Sequence, residues 1–148
     1  MVLEFRNVTG QKKRWQLRKS FFLKEVNFSL APGYMMGLAG KNGAGKTTLV
    51  HYIIDERQRF DGDIFVAGKS VKSNRREALD CIGFISEENE FFMEYSLRQN
   101  AELIGPFYSQ WNMACFEMNC EKMNLRMGMK VSQLSRGESM KFQLALAM

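Results

Sequence analysis

Histidine occurs once, as His51. No histidine-based metal cluster and no two-histidine relay can therefore be assembled from this chain. Cysteine occurs three times. Cys81, Cys115 and Cys120 follow no metal-ligand spacing, and an odd number cannot all pair. The reading they support is buried thiols in a reducing compartment. No apolar run approaches the ~18–20 residues that span a bilayer. Met1 leads into an alternating segment rather than a secretory leader. The expectation is a soluble cytosolic chain, held at a membrane only through a partner. Proline occurs twice, and both copies read as punctuation: Pro32 before a turn, Pro106 at a helix stop. No internal repeat or low-complexity tract is present.

What the chain does contain is ordinary in bulk. Its 148 residues make one domain or part of one, with 45% apolar and 25% charged residues. The net charge of +5 is modest. Part of it lies in Lys12-Lys13-Arg14 and Arg18-Lys19. With no aromatic platform or reading helix beside it, that cluster reads as a solvated hairpin end, and no nucleic-acid partner is expected.

One stretch organises the rest: Gly40-Lys41-Asn42-Gly43-Ala44-Gly45-Lys46-Thr47-Thr48. It fits G-x-x-x-x-G-K-[ST], the phosphate-binding loop. Glycines let the backbone turn tightly and approach a ligand. Successive N–H groups then converge on one anion. Lys46 adds a charge for the β- and γ-phosphates, and the Thr47 hydroxyl is placed to ligate Mg²⁺. A helix starting near Lys46 directs its free N–H groups and positive dipole end at the phosphates. The flanks give the required strand–loop–helix order. Tyr34 to Ala39 is an unbroken apolar run that reads as a strand buried on both faces of a parallel sheet. Leu49, Val50, Ile53 and Ile54 share a helical face.

Around this centre, Val2–Val8 and Val26–Leu30 alternate as two half-buried strands, an antiparallel layer on the core. Gly62–Gly68 and Cys81–Ile85 are two more strands. An acidic loop, Ser86 to Glu90, follows. From Phe91 to Leu125 the pattern turns helical. Ser96 and Gln99 have capping-box spacing, and Asn112 can cap a second helix with Met113, Phe116, Cys120 and Met123 on one face. The division expected is residues 1–86 as α/β core with β layer, 87–136 as switch loop and helical insertion, and 137–148 as a closing helix. The fold class is α/β: a P-loop NTPase core with a RecA-like parallel sheet, an N-terminal antiparallel layer and a helical insertion.

Leu134-Ser135-Arg136-Gly137-Glu138 completes a resemblance. With Pro32-Gly33-Tyr34, the GKNGAGKTT loop, GDIFVAG and IGFIS in order, the chain resembles the ATP-binding subunit of an ABC transporter. LSRGE is similar to that family's LSGGQ signature. GPFYSQW and LSRGESMKFQLALAM resemble bacterial exporters of the bacitracin-resistance and related drug or peptide type. The resemblance implies ATP and Mg²⁺ as ligands. Asn42, Gly43, Ala44, Gly45, Lys46, Thr47 and Thr48 would hold the phosphates. Ser135, Arg136 and Gly137 would face the γ-phosphate of ATP held by a second subunit. Glu87 stands where the family carries a glutamine near Mg²⁺ or the attacking water. Trp15 is the first candidate for the adenine-stacking aromatic, with Phe21 and Phe22 as the others. The implied partners are a membrane-spanning permease and a second ATP-binding subunit, identical or different, at the inner face of the cell membrane.

Arg136 and Glu138 depart from the signature. The family's next strand, with its Asp-Glu and a later histidine, has no match within residues 1–148. The fold is thus expected to be incomplete at the C-terminus, with little or no hydrolysis by this chain alone. Two other readings of the same loop stay open: a soluble ABC-type ATPase acting on nucleic acid or ribosomes, and a small P-loop phosphotransferase.

Overall fold

A computed structural model describes residues 2–11, 23–86 and 91–148. Trp15, Phe21, Phe22, the basic cluster and Glu87 lie outside the described residues. The chain divides into two compact units, Met1–Cys81 and Ile82–Met148.

The first unit is built on a four-stranded antiparallel sheet of order β2-β1-β3-β4. Its strands are β1 (Leu3–Gly10), β2 (Val26–Leu30), β3 (Phe60–Val66) and β4 (Lys69–Ser70). The alternation read in β1 and β2 is the register observed: Leu3 faces Leu30, Phe5 faces Phe28 and Val8 faces Val26. Phe5 and Phe28 stack with ring centroids 4.5 Å apart, the cross-strand aromatic pairing that fixes a register. On the other side Phe5 faces Ile64 and Leu3 faces Val66. Helices α1 (Lys46–Ile54) and α2 (Arg75–Leu79) accompany the sheet. Leu49, Tyr52, Ala78 and Val71 join Phe5, Val8, Phe60, Ile64 and Val66 in the buried set. The apolar face of α1 is therefore carried by Leu49 and Tyr52; Val50, Ile53 and Ile54 are only half-buried.

The Tyr34–Ala39 run departs from its expected state. It forms no strand, and Tyr34 (73%) and Met35 (101%) are among its exposed side chains. The reason is pairing. A parallel strand is buried only when strands flank it, and among the described residues none pairs with this segment.

The second unit is helical: α3 (Leu97–Ile104), α4 (Met113–Lys122) and α5 (Arg136–Ala147), with a 3₁₀ turn over Gly105–Phe107 where Pro106 ends α3. Cys81–Ile85, expected as a strand from its apolar run, forms none: Cys81 is a turn residue and residues 82–86 enter this unit without strand pairing. The cap of α3 forms as read: Ser96 Oγ accepts from Gln99 N at 3.1 Å and Gln99 Oε1 accepts from Ser96 N at 2.9 Å. Asn112 Oδ1 accepts from Cys115 N at 3.2 Å at the start of α4. Phe116 and Cys120 of α4 pack with Leu97, Ala101 and Phe142 in one core, with Met113 and Met123 at its edge. Of the three thiols only Cys120 is buried. Cys81, in the turn after α2, and Cys115, on α4, are exposed.

Candidate nucleotide site

The phosphate-binding loop ends at Gly45, which stands before α1 with φ 93°. That is left-handed backbone, open to glycine at no steric cost. No side chain caps α1. Its first helical bond runs from Leu49 N to Gly45 O at 2.9 Å. The N–H groups of Lys46, Thr47 and Thr48 thus have no backbone acceptor, as the first turn of any helix dictates. A helix start with free donors and no competing cap is the arrangement an anion requires. Residues 40–44 and Thr47 are exposed, so the loop can be reached from solvent.

Lys46 is curled back on this loop. Its Nζ donates to Gly40 O at 2.7 Å and Lys41 O at 3.1 Å. These are charge-to-carbonyl bonds. A phosphate oxygen is a stronger acceptor for an ammonium group, since both partners are then ionised. The donor set of backbone N–H groups, one ammonium and the Thr47 hydroxyl fits a nucleotide phosphate with its Mg²⁺. No cluster of three or more His, Cys, Asp or Glu occurs among the described residues.

Ser135 caps α5. Its Oγ accepts from Glu138 N at 3.3 Å, and Glu138 Oε2 accepts from Ser135 N at 2.9 Å. The Ser135 hydroxyl also donates to Glu138 Oε2, at 2.7 Å. These bonds, with the Ser135 hydroxyl as the largest cause, hold the Glu138 carboxyl below its ordinary value. The serine proton expected for a phosphate is thus engaged by a carboxylate within α5. The S-x-x-E spacing is that of a capping box. Gly137 is exposed, and a Cβ built there would meet nothing within 4 Å. This unit's own packing does not demand glycine at 137.

The structure therefore gathers Gly40 to Thr48 at the start of α1, and Ser135 to Gly137 at the start of α5, each within its own unit. Trp15 and Glu87 fall outside the described residues.

The ABC transporter family profile matches residues 23–148. This chain belongs to the ABC transporter family. It spans less than half the length of most of the curated relatives it matches. The cytochrome c biogenesis ATP-binding export protein CcmA of Aliivibrio fischeri is 29% identical over 97% of this chain and 69% of its own length. The Nod factor export ATP-binding protein I of Neorhizobium galegae is 26% identical over 88% of this chain and 39% of its own. The solved ATP-binding subunit of an ABC transporter superposes with TM-score 0.81 at 23% identity, covering 99% of this chain and 61% of that one. An ATP-binding cassette dimer in a post-hydrolysis state, bound to ADP and Pi, superposes with TM-score 0.72 at 20% identity over 99% of this chain and 68% of that one. Both structures carry the fold. No described helix is long and apolar enough to cross a membrane.

Proposed function

We propose that this ABC domain binds Mg·ATP as the nucleotide-binding part of a bacterial export system. One observation carries the reading: a glycine loop opens onto the uncapped start of α1, with the Lys46 ammonium held against the loop's own carbonyls. In this reading the N–H groups of residues 42–48 and Lys46 bind the phosphates, with Thr48 at the α-phosphate. Thr47 ligates Mg²⁺, assisted by Glu87, and the ion supplies neutralisation of phosphate charge when bound. Trp15 stacks on the adenine. Ser135, Arg136 and Gly137 approach the nucleotide of a second ATP-binding subunit. The export names of the relatives support a membrane permease as partner and, with it, attachment at the inner face of the cell membrane.

The exposed side chains of Phe92 (55%), Met93 (44%) and Tyr95 (45%) are the proposed permease contact. Asn100, fully buried, holds this turn: its Oδ1 accepts from Phe92 N at 3.0 Å and its Nδ2 donates to Phe92 O at 3.1 Å and Ser96 O at 3.0 Å. Residues 1–148 alone contain no motif-matched group to polarise the attacking water, and turnover by these residues alone is expected to be low. General-base assistance is typically worth about 10²–10⁴-fold.

Calorimetric titration with Mg·ATP tests the binding reading. Lys46→Ala should weaken affinity by about 2–3 kcal/mol, the scale of a charge-assisted hydrogen bond. Equal affinity for both forms would overturn it.

A further inference from the structure

The first unit carries a groove of about 620 Å³ lined by residues around the C-terminal end of α1, away from the phosphate loop that opens that helix. The size lies within the ~300–1,000 Å³ usual for small-molecule sites. Its lining contains four cations and two carboxylates. Asp55 is consumed by Arg57, with Nε to Oδ1 at 2.9 Å. That leaves Arg59, Lys72 and Arg75 against Glu56 alone.

None of those three cations is neutralised by a carboxylate in this groove. Lys72 Nζ donates to the Gly62 carbonyl and stands 4.6 Å from the Phe60 ring centroid. Arg75 Nη2 donates to Ile54 O at 2.8 Å. A carbonyl and a ring face orient a cation without cancelling its charge. The groove also holds Tyr52. Tyr52 is 4% exposed and packs against Phe60 with centroids 5.3 Å apart. Its hydroxyl makes no hydrogen bond among the described residues, and it is not sealed off, since no buried polar side-chain atom is left unpaired. The ring is buried, and the hydroxyl, with no partner within the described residues, is a donor available to a ligand in the groove. Burial raises its pKa, so it remains a donor across the physiological range.

We propose that this groove binds a small soluble phosphate monoester, the Tyr52 hydroxyl and the Arg59, Lys72 and Arg75 cations meeting its oxygens. Three cations and a phenol donor match a dianion with three acceptor oxygens better than they match a carboxylate. The site is separate from the loop at Gly40 to Thr48 and does not depend on nucleotide there.

Phenyl phosphate, titrated into the isotope-labelled full chain and followed by amide NMR, tests this. The Lys46→Ala variant removes the loop's phosphate charge. In it, shifts at residues 40–48 should fade while those at Tyr52, Phe60, Val71 and Lys72 persist. Tyr52→Phe should weaken the groove response about 2–10-fold, one hydrogen bond's worth, and Arg59→Gln about 10-fold or more. Shifts confined to the phosphate loop would overturn the proposal, as would a groove response indifferent to both substitutions. Co-sedimentation with phosphatidic-acid vesicles without any response to phenyl phosphate would assign the cations to a lipid surface and overturn it too.

Discussion

Gln143 and Ser86 exchange two hydrogen bonds: Gln143 Oε1 accepts from Ser86 N at 2.9 Å, and Gln143 Nε2 donates to Ser86 O at 3.0 Å. Gln143 is 6% exposed and lies on α5, two turns after the signature. The last residue before the switch loop is thereby clipped to the signature helix by a side-chain amide that imitates a strand neighbour. Gln143→Met keeps the volume and removes both bonds. It should destabilise this unit by about 1–3 kcal/mol, the cost of polar groups losing their partners. Denaturant midpoints of the two forms measure it, and unchanged stability would show that the clip is dispensable.

Glu138 makes the start of α5 sensitive to acid. Its folded pKa lies below the ordinary 4.5. A depressed carboxyl contributes stability fully above the unfolded value, and that contribution is lost as pH falls through the lowered folded value. Glu138→Gln keeps the capping box but removes the titration. The variant's stability should therefore fall less between about pH 5 and pH 2 than the wild type's. Urea midpoints across that range decide it, and parallel acid limbs would refute the assignment. The same substitution removes a negative charge from the start of α5, so it should not weaken the phosphate contact proposed for Ser135.

The three thiols should separate by reactivity. Burial pushes the Cys120 thiol up to about 11, whereas Cys81 and Cys115 are exposed. The thiolate is the reactive form. A maleimide should label Cys81 and Cys115 in the native protein and Cys120 only on unfolding, as read by mass spectrometry of the digested chain. Native labelling of Cys120 would show that the α3–α4–α5 core opens readily.

The local signals in the sequence were read correctly where one segment carries its own answer. The caps at Ser96 and Asn112 form as their spacing demands, because a helix cap closes within four residues. The glycine loop and the start of α1 are local in the same sense. The face of Phe116 and Cys120 was legible because helical period and burial agree. What failed to show was non-local. Tyr34 to Ala39 reads as a buried strand, yet burial needs a neighbour that its own residues do not encode. Exposure of Cys115 is set by which way α4 faces, and that of Cys81 by the turn after α2. Tyr52, Arg59, Lys72 and Arg75 meet in one groove through the packing of α1, β3 and α2, and no spacing announces it.

The unpaired run makes the last prediction. Met35 is fully exposed, Tyr34, Met36 and Leu38 are exposed, and residues 35–39 make no backbone hydrogen bond among the described residues. Unpaired N–H and C=O groups beside uncharged apolar side chains form a template for another strand. Nothing in Tyr34–Ala39 is charged, so no repulsion opposes pairing of two such segments. The isolated 148-residue protein should therefore self-associate as its concentration rises. Met35→Lys with Leu38→Lys places two charges on that edge, one of the devices by which edge strands avoid pairing. Neither residue holds the phosphate loop's donors. Sedimentation velocity across a concentration series should show a weight-average that climbs for the wild type and stays near the 17.1 kDa monomer for the double variant. A wild type that remains monomeric, or a double variant that associates equally, would mean that the run is covered in solution by something other than a second edge.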